Sequence, residues 1–285
     1  RRGQHLASSA SMIGGQTTHT GCLTTTALKI SELTVTVPCR AVLRAEGGGD
    51  DNHKTTAVPS ASSVDRLLVE HFNLDLGAGE IITVLGRSGV GKSRLLRAIA
   101  GIDTPAQHDD AMTMHVAGPS GNSYTLTNLH TFKPRCPMPL WRSFVTYVPQ
   151  DVPSTLEGTP LEALQDIQGF VCRPPATGSS GNDVRAQRRL EALALEMVLD
   201  CDVIHRPWYE LSGGERQRAF LAVVLSIEPR PVVLLVDEPT AACDASTAAR
   251  VEACLESCGA SIIWVTHDQD QGRRVADRML LVESS

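Results

Sequence analysis

Hydrophobic residues alternate with polar ones near the start of the chain and merge into continuous apolar runs further along. Residues 27–37 carry apolar side chains at nearly every second position, which predicts a half-buried strand, and 67–76 give a second strand. In contrast, three further segments are mostly apolar without alternation, namely 80–85, 231–236 and 260–265. Runs of this kind are typical of strands that are covered on both faces of a parallel sheet.

Segments with helical spacing of apolar residues separate these buried runs. A helix is predicted at 92–100, directly after a glycine-rich loop, and another at 185–199. A third is predicted at 213–226, because Pro229 and Pro231 lie just beyond its end. Parallel strands need crossover connections, so strands separated by helices predict an α/β fold with a mainly parallel sheet.

Two polar segments interrupt this pattern. Residues 1–31 contain three Lys or Arg, many Ser and Thr, and no acidic residue. We therefore predict that 1–26 form a tail, which is either disordered or the end of an organellar targeting segment. Residues 38–65 are rich in Gly, Asp, Ser and Thr, which predicts a flexible loop inserted in a hairpin. The stretch 27–285 is predicted to form one domain around these strands and helices.

The composition favours a folded protein and argues against several classes of function. The 285 residues are 42% hydrophobic, enough for a core, and 26 basic against 32 acidic residues give a net charge of −6. Nucleic acid is not an expected partner, because binding its phosphates needs a basic face. The longest apolar stretches, 220–225 and 232–236, are far shorter than the ~18–20 residues of a membrane span. The 8 Cys include no C-x-x-C pair, which is typical of free thiols.

The glycine-rich loop carries the first candidate chemistry. It fits the pattern G-x-x-x-x-G-K-[ST], in which glycines let successive backbone N–H groups turn inward and hold an anion at a helix start. Lys92 is expected to reach the β- and γ-phosphates of a nucleotide, and the Ser93 hydroxyl to bind Mg²⁺. The predicted nucleotide-binding residues are Gly86, Arg87, Ser88, Gly89, Val90, Gly91, Lys92, Ser93 and Arg94.

Two carboxylates follow the buried run at 232–236. Asp237 and Glu238 end this strand, and ligands of parallel sheets gather at the carboxyl edge. Asp237 is expected to hold Mg²⁺, and Glu238 to polarise the water that attacks the γ-phosphate. Acidic residues are common after strands, so this pair is informative mainly because the glycine-rich loop accompanies it.

A further motif predicts a second anion site on the same chain. Ser212 can cap the helix that follows, and the paired glycines after it permit close backbone approach. One nucleotide does not need two such sites on one subunit, so the motif is predicted to close over a nucleotide bound by a facing subunit. Its predicted contact residues are Leu211, Ser212, Gly213, Gly214 and Glu215.

Together these motifs resemble those of the ABC-type ATPases, whose signature is similar to the L-S-G-G-E-R-Q-R segment at 211–218. The resemblance covers roughly 28–282 and identifies 27–285 as an ABC ATP-binding domain. It implies a P-loop NTPase core with a mainly parallel sheet, and an antiparallel β subdomain on the N-terminal side. It also implies a helical signature subdomain at about 151–227.

The resemblance implies roles for three further residues. Gln150 matches the Q-loop residue that touches Mg²⁺ and the attacking water. His267 matches the switch histidine that contacts the γ-phosphate, and Asp244 matches the D-loop aspartate at the dimer interface. The implied catalytic residues are thus Glu238, His267 and Gln150, and the implied metal ligands are Ser93, Gln150 and Asp237.

The same resemblance implies the ATPase subunit of an ABC transporter, which uses ATP and Mg²⁺. It implies a homodimer or heterodimer of ATPase domains, a separate transmembrane permease, and a peripheral position on the cytosolic, stromal or matrix face of a membrane. The alternative is a soluble ABC ATPase of DNA repair or ribosomes; Leu211, however, follows Gln150 by only 61 positions, which favours a compact subdomain over a coiled coil. Short segments at 152–159 and 264–268 resemble metal-export and plant aluminium-tolerance ATPases.

The chain departs from the family pattern directly after the phosphate loop and where the nucleotide base would bind. Arg94 stands where the family usually has Thr. The family also places an adenine-stacking aromatic just after its first strand, but no Phe, Trp or Tyr precedes Phe72, which is predicted to lie in the core. We expect Arg40, Arg44 or His53 of the predicted loop to stack on the base instead, with weak discrimination between ATP and GTP.

Overall fold

A computed structural model describes residues 11–13, 26–37, 66–103, 113–117, 123–127, 138–170 and 179–282. Its strands are β1 (Ser11–Ile13), β2 (Thr26–Val37), β3 (Arg66–Gly77), β4 (Ile81–Leu85), β5 (Thr113–Ala117), β6 (Ser123–Thr127), β7 (Val145–Val148), β8 (Val233–Asp237), β9 (Ser261–Val265) and β10 (Arg278–Leu281). Its helices are α1 (Lys92–Ile99), α2 (Met138–Phe144), α3 (Pro160–Gly169), α4 (Ser179–Glu196), α5 (Gly213–Ser226), α6 (Ala245–Glu256) and α7 (Gln269–Val275).

A six-stranded sheet forms the centre of the fold, in the order β1-β10-β4-β9-β8-β7. Strands β10, β4, β9, β8 and β7 are parallel to one another, and β1 pairs antiparallel with β10 at one edge. The apolar runs at 80–85, 231–236 and 260–265 correspond to β4, β8 and β9. The predicted α/β fold with a mainly parallel sheet is therefore confirmed.

Both faces of the central sheet are covered, which explains why its strands are apolar without alternation. In β8, Leu235 packs in a core cluster with α1 and the second sheet, whereas Leu234 and Val236 pack in a cluster with α4, α5 and α6. In β9, Ile263 and Trp264 divide between the same two clusters. Successive side chains of a strand point to opposite faces, so a strand between two layers buries all of them.

An antiparallel sheet of order β3-β2-β5-β6 shares the core cluster of α1. Strands β2 and β3 form the predicted hairpin, with Thr26 opposite Gly77 at one end and Val37 opposite Arg66 at the other. Phe72 is buried in this hairpin, as its position predicted. The sheet confirms the antiparallel β layer that was expected from the N-terminal part of the chain.

Helices α3, α4 and α5 pack together on the other side of the central sheet, where Leu164, Leu190 and Leu221 are buried. Together with two short 3₁₀ turns, Val203–His205 and Trp208–Glu210, they supply the helical layer. The predicted helix at 213–226 is α5 without any shift of its ends. The limits of a helical subdomain at 151–227 stay a prediction.

Several short elements escaped prediction. Strands β5, β6 and β7 and helix α2 have seven residues or fewer, too few for a periodic pattern to stand out. The loop predicted at 38–65 lies outside the described residues, as does the predicted tail at 1–26 except for Ser11–Ile13 and Thr26, so both stay predictions. In the part of the chain that is described, every helix is too short or too polar to cross a bilayer.

Candidate functional site

Four neighbouring strands of the central sheet end at one edge, and residues singled out by the sequence follow each of them. The glycine-rich loop follows β4, Gln150 follows β7, Asp237 ends β8, and His267 comes two residues after β9. Parallel strands bring their carboxyl ends to the same edge, where ligands of open α/β sheets bind. Strand order therefore gathers groups that are far apart in the chain.

The loop after β4 has glycine where other residues would be strained or would clash. Gly89 and Gly91 have positive φ angles of 79° and 108°. A Cβ on Gly91 would lie 2.9 Å from Leu68 Cδ1, and a Cβ on Gly86 would lie 2.5 Å from the carbonyl oxygen of Val282. The loop leads directly into α1, whose first N–H groups have no acceptor within the helix and so suit an anion.

Lys92 is the first residue of α1, and only 7% of it is exposed. Its Nζ donates to the carbonyl oxygens of Gly86 at 2.7 Å and Arg87 at 3.1 Å. Burial lowers the pKa of Lys92, and the negative charges of Glu238 and Asp237 oppose that shift. A buried cation held against the loop is suited to a ligand that carries several negative charges.

Asp237 is almost completely buried and presents an unpaired oxygen. The Tyr147 hydroxyl donates to its Oδ2 at 3.1 Å, whereas its buried Oδ1 has no hydrogen-bond partner among the described residues. Burial raises the pKa of Asp237, and the neighbouring hydroxyls of Ser93 and Tyr147 partly offset that rise. A free carboxylate oxygen beside a hydroxyl is an oxygen ligand set of the kind that Mg²⁺ prefers. Asp237 and Ser93 therefore fit the predicted metal site.

Glu238 is held from two sides in an uncommon backbone conformation. Its φ is 45°, in the left-handed region that residues other than glycine seldom adopt. Its N–H donates to the Val265 carbonyl oxygen at 2.9 Å, and its own carbonyl accepts from Gln217 Nε2 at 3.0 Å. Gln217 lies on α5, the helix that begins at the signature. Strand β9 and helix α5 thus together fix the backbone of Glu238.

Gln150 and His267 meet on the carboxylate of Glu238. Gln150 Nε2 donates to Glu238 Oε2 at 3.4 Å, and His267 Nδ1 lies 3.0 Å from the same oxygen. Gln150 and His267 are 88 and 29 positions from Glu238 in the chain. The structure therefore brings together all three residues that the sequence proposed as catalytic.

A cavity of about 390 Å³ lies over the phosphate loop. Arg94 lines this cavity, but its Nη1 also lies 3.0 Å from Asp103 Oδ2. The Arg94 guanidinium therefore forms an ion pair with the Asp103 carboxylate. Leu68 of β3 adds an apolar wall that sequence reasoning missed. The lining residues are Leu68, Ser88, Gly89, Gly91, Lys92, Ser93, Arg94, Gln150, Glu238 and Val265.

The signature residues are absent from that lining, as far as the described residues define it. Ser212 caps α5 as predicted: its Oγ accepts from the N–H of Glu215 at 3.3 Å, and Glu215 Oε2 accepts from the N–H of Ser212 at 2.8 Å. A Cβ on Gly214 would lie 3.2 Å from the Ala242 carbonyl oxygen, so the signature borders the segment before α6. Within one chain, the signature thus borders the segment before α6 and is not in the described lining of the cavity over the phosphate loop.

Asp244 begins α6 and caps it. Its Oδ1 accepts from the N–H groups of Ser246 at 2.9 Å and Thr247 at 3.0 Å. Hydrogen bonds from these two residues hold the pKa of Asp244 well below its ordinary value. Asp244 thus has a structural role within the chain, and the interface role implied for it stays a prediction.

Tyr147 and Gln217 also belong to the site, although sequence reasoning gave them no role. Tyr147 lies three positions before Gln150, and Gln217 lies in the 211–218 segment, two positions after Glu215. The available signal was a polar side chain in an otherwise buried element, since Gln217 is 3% exposed and Tyr147 lies in β7. Buried polar groups need hydrogen-bond partners, which the neighbouring β8 supplies.

Known proteins share both the sequence and the fold. The profile of the family described as ABC transporter matches residues 69–241. The sulfate/thiosulfate import ATP-binding protein CysA of Mesostigma viride is 34% identical over 220 residues, 76% of this chain and 55% of that protein. The aliphatic sulfonates import ATP-binding protein SsuB of Burkholderia pseudomallei (strain K96243) is 30% identical over 247 residues, 85% of this chain and 63% of that protein. The chain thus spans little more than half the length of the curated relatives it matches.

The fold likeness extends over most of the chain. A dimeric post-hydrolysis state of an ATP-binding cassette, bound to ADP and Pi, matches with a TM-score of 0.62 at 22% identity. The match covers 90% of this chain and 96% of that one. The two chains therefore share their fold.

Proposed function

This chain belongs to the ABC transporter family, and on that premise we propose that it binds and hydrolyses ATP as one of two facing subunits that drive a separate membrane permease. The observation that carries the proposal is the meeting of Gln150 and His267 on Glu238, beside the buried cation of Lys92. Gln150, Glu238 and Lys92 line the cavity over the phosphate loop, and His267 reaches it through Glu238.

The proposed chemistry is attack by water on the γ-phosphate. The N–H groups at the start of α1 and the Lys92 ammonium bind the phosphates. The Glu238 carboxylate accepts a proton from the water as its oxygen bonds to phosphorus, and the bond to the β–γ bridging oxygen breaks to give ADP and phosphate. Gln150 orients the water, and His267 contacts the γ-phosphate from the side of β9.

Mg²⁺ would be held by Asp237 and Ser93, with Gln150 as a further ligand. When bound, the ion neutralises charge that develops on the phosphate oxygens. The hydrogen bond from Tyr147 occupies Asp237 Oδ2 and leaves the buried Oδ1 available. One carboxylate oxygen of Asp237 thus accepts a hydrogen bond while the other can bind a cation, which supports the proposed metal site.

The facing-subunit arrangement rests on the position of the signature. Ser212, Gly213 and Gly214 lie at the start of α5, away from the cavity of their own chain. A second subunit, identical or related, would bring its signature over the nucleotide bound here. Asp244 would lie at the same interface, because the segment before α6 borders Gly214.

The permease partner and the peripheral position on a cytosolic, stromal or matrix membrane face follow from the proposal. The names of the similar proteins describe ATP-binding subunits of sulfate/thiosulfate, sulfonate and Fe³⁺ import. The permease would determine the transported substrate. The resemblance to metal-export and aluminium-tolerance ATPases stays a prediction.

The experiment that tests this function uses Glu238→Gln. The amide keeps the shape of the side chain but loses the charge that activates water, so the variant should bind ATP without hydrolysing it. Size-exclusion chromatography with ATP and Mg²⁺ should then show a stable dimer. Glu191→Gln, an exposed residue on α4, is the matched control and should hydrolyse ATP like the wild type. A Glu238→Gln protein that stays active and monomeric would contradict both the role of Glu238 and the facing dimer.

A further inference from the structure

A buried polar network lies behind the catalytic contact and outside the phosphate loop. Its centre is Gln271 of α7, which is only 6% exposed. Gln271 Nε2 donates to Thr240 Oγ1 at 2.7 Å and to Glu252 Oε1 at 2.8 Å, and its Oε1 accepts from Thr266 Oγ1 at 2.7 Å. One amide thus joins three separate segments of the chain.

Two of these segments carry the residues that meet on the proposed catalytic carboxylate. Thr266 directly precedes His267, and Thr240 comes two residues after Glu238. Thr266 is 2% exposed, and its hydroxyl also accepts from the N–H of Asp268 at 3.1 Å. The backbone on both sides of His267 is therefore tied to Gln271.

The ring of His267 has much less support of its own. Its side chain is 68% exposed, whereas that of Glu238 is 17% exposed. An exposed side chain is not fixed in one rotamer by packing, so the position of its Cα limits where the ring can reach. The distance of 3.0 Å between His267 Nδ1 and Glu238 Oε2 then depends on how the two backbone segments are held relative to each other.

The third segment anchors the network in the protein. Glu252 of α6 has a side chain that is 6% exposed, and Arg274 binds it with both arms, Nε to Oε2 at 2.9 Å and Nη2 to Oε1 at 2.8 Å. A bidentate ion pair of this kind fixes the carboxylate in one orientation. That orientation decides which way the Gln271 amide faces, because Glu252 Oε1 accepts one of its N–H groups.

We infer that Gln271 is a positioning residue, which holds the segment of Thr266 and His267 against the segment of Glu238 and Thr240. Glu252 and Arg274 keep its amide in the orientation that serves both segments. The inference rests on the proposed function, since it assigns Gln271 to the contact of His267 with Glu238. It adds a residue outside the lining of the cavity over the phosphate loop, as far as the described residues define that lining.

The test is a double-mutant cycle with Gln271→Met and His267→Ala. Methionine keeps the size of the side chain but removes the donors and the acceptor. In the wild-type background we expect kcat for ATP hydrolysis to fall about tenfold and KM for ATP to change less than about twofold, because the phosphate loop is untouched. In the His267→Ala background, Gln271→Met should lower kcat by less than about twofold, since the residue it positions is gone.

Two further variants keep the test independent of folding. Thr240→Val removes only the hydrogen bond to the Glu238 segment and is nearly isosteric, so it should repeat the loss in kcat even if Gln271→Met is unstable. Arg273→Gln is the matched control, because Arg273 neighbours Arg274 but, among the described residues, forms its ion pair with the exposed Asp270. It should leave kcat unchanged. An equal loss of kcat from Gln271→Met in both His267 backgrounds would overturn the inference.

A second measurement separates failure of the inference from failure of the proposed function. The ¹⁵N chemical shifts of the His267 ring nitrogens report the contact with Glu238 in the nucleotide-free protein and need no ATPase activity. They should move in Gln271→Met and Thr240→Val and stay in place in Arg273→Gln. Unmoved shifts would refute the inference even in an active ATPase. Moved shifts in a protein that shows no ATP hydrolysis would support the inference and contradict the function.

Discussion

The hydroxyl of Tyr147 donates a hydrogen bond of 3.1 Å to Oδ2 of Asp237, which links β7 to the end of β8. Burial raises the pKa of Tyr147, and the charge of Asp237 adds to the rise, so the hydroxyl keeps its proton at neutral pH. Because the hydroxyl can only donate to the carboxylate, it occupies one oxygen and leaves the other for a cation.

Tyr147→Phe should therefore weaken the use of Mg²⁺ without weakening ATP binding itself. A hydrogen bond to a charged group contributes substantial free energy. Its loss should therefore raise, about tenfold, the Mg²⁺ concentration that gives half-maximal stabilisation. Thermal unfolding at fixed ATP and increasing Mg²⁺ measures this shift. Tyr209→Phe is the control, because Tyr209 is 69% exposed. Superimposable Mg²⁺ titrations of wild type and Tyr147→Phe would refute the role of Tyr147.

Asp237 should lower the stability of the protein at neutral pH when nucleotide and Mg²⁺ are absent. Its pKa in the folded protein lies above the ordinary value of 3.8. Below pH 3.8 the carboxyl is protonated in both the folded and the unfolded protein, so it does not lower the free energy of unfolding. As the pH rises from 3.8 to the folded pKa, the unfolded chain ionises first, so the free energy of unfolding falls and stays lower at neutral pH.

Asp237→Asn should accordingly raise the melting temperature of the nucleotide-free protein at pH 7 and leave it nearly unchanged below pH 3.8. It should also abolish the extra stabilisation that Mg²⁺ gives with ATP. Thermal unfolding between pH 3 and 8 measures both effects. Asp166→Asn, an exposed carboxylate on α3, is the control and should change neither. A variant less stable than the wild type at pH 7 would show that the carboxylate is not the destabilising group.

Ser212→Arg should stop turnover while an isolated monomer keeps its affinity for nucleotide. The signature lies outside the cavity of its own chain, so the arginine would obstruct only the facing subunit. Lys92→Ala, by contrast, removes the cation against the phosphate loop and should weaken binding directly. Equilibrium binding to monomer and steady-state ATPase assays distinguish the two. Equal losses of monomer affinity in both variants would contradict a site shared between subunits.

Val198→Gly should stabilise the protein. Val198 follows α4 with a φ of 58°, a conformation that is strained for a β-branched residue but free of strain for glycine. Relief of left-handed strain is worth about 1 kcal/mol, and the side chain is 51% exposed, so little burial is lost. Val184→Gly is the matched control: it is equally exposed but lies inside α4, where glycine weakens a helix. Chemical unfolding should give changes of opposite sign, and a loss of stability in both would contradict the strain argument.

Discrimination between ATP and GTP should be weak. Stacking of an aromatic ring on a base is worth roughly 1–3 kcal/mol, and no aromatic residue precedes Phe72, which is buried. Leu68 borders the cavity and can contact a base only through apolar atoms, which do not distinguish adenine from guanine. Titration with both nucleotides should give affinities within about tenfold of each other. The predicted loop at 38–65 contains Arg40, Arg44 and His53, so shortening it should weaken the binding of ATP and of GTP equally. A strong preference for ATP that remains in the shortened protein would reveal an unidentified base contact.

Elements with local signals could be predicted from the sequence alone. The apolar runs that became β4, β8 and β9 were predictable because a strand buried on both faces needs apolar residues at every position. The start of α5 was predictable because a helix needs a capping side chain such as Ser212, and the loop before α1 because a close phosphate cradle needs glycine. Each signal depends on neighbouring residues alone.

Which of these elements meet depends on the folded arrangement of the whole chain. The strand order β4-β9-β8-β7 places His267 and Gln150 on opposite sides of Glu238, and the register of β7 on β8 brings Tyr147 to Asp237. The bonds of Gln271 to Thr240 and Glu252 likewise depend on how α7 packs against α6. Hydrogen bonds are short and directional, so a contact across 88 or 29 positions depends on strand order, register and packing, which no local pattern encodes.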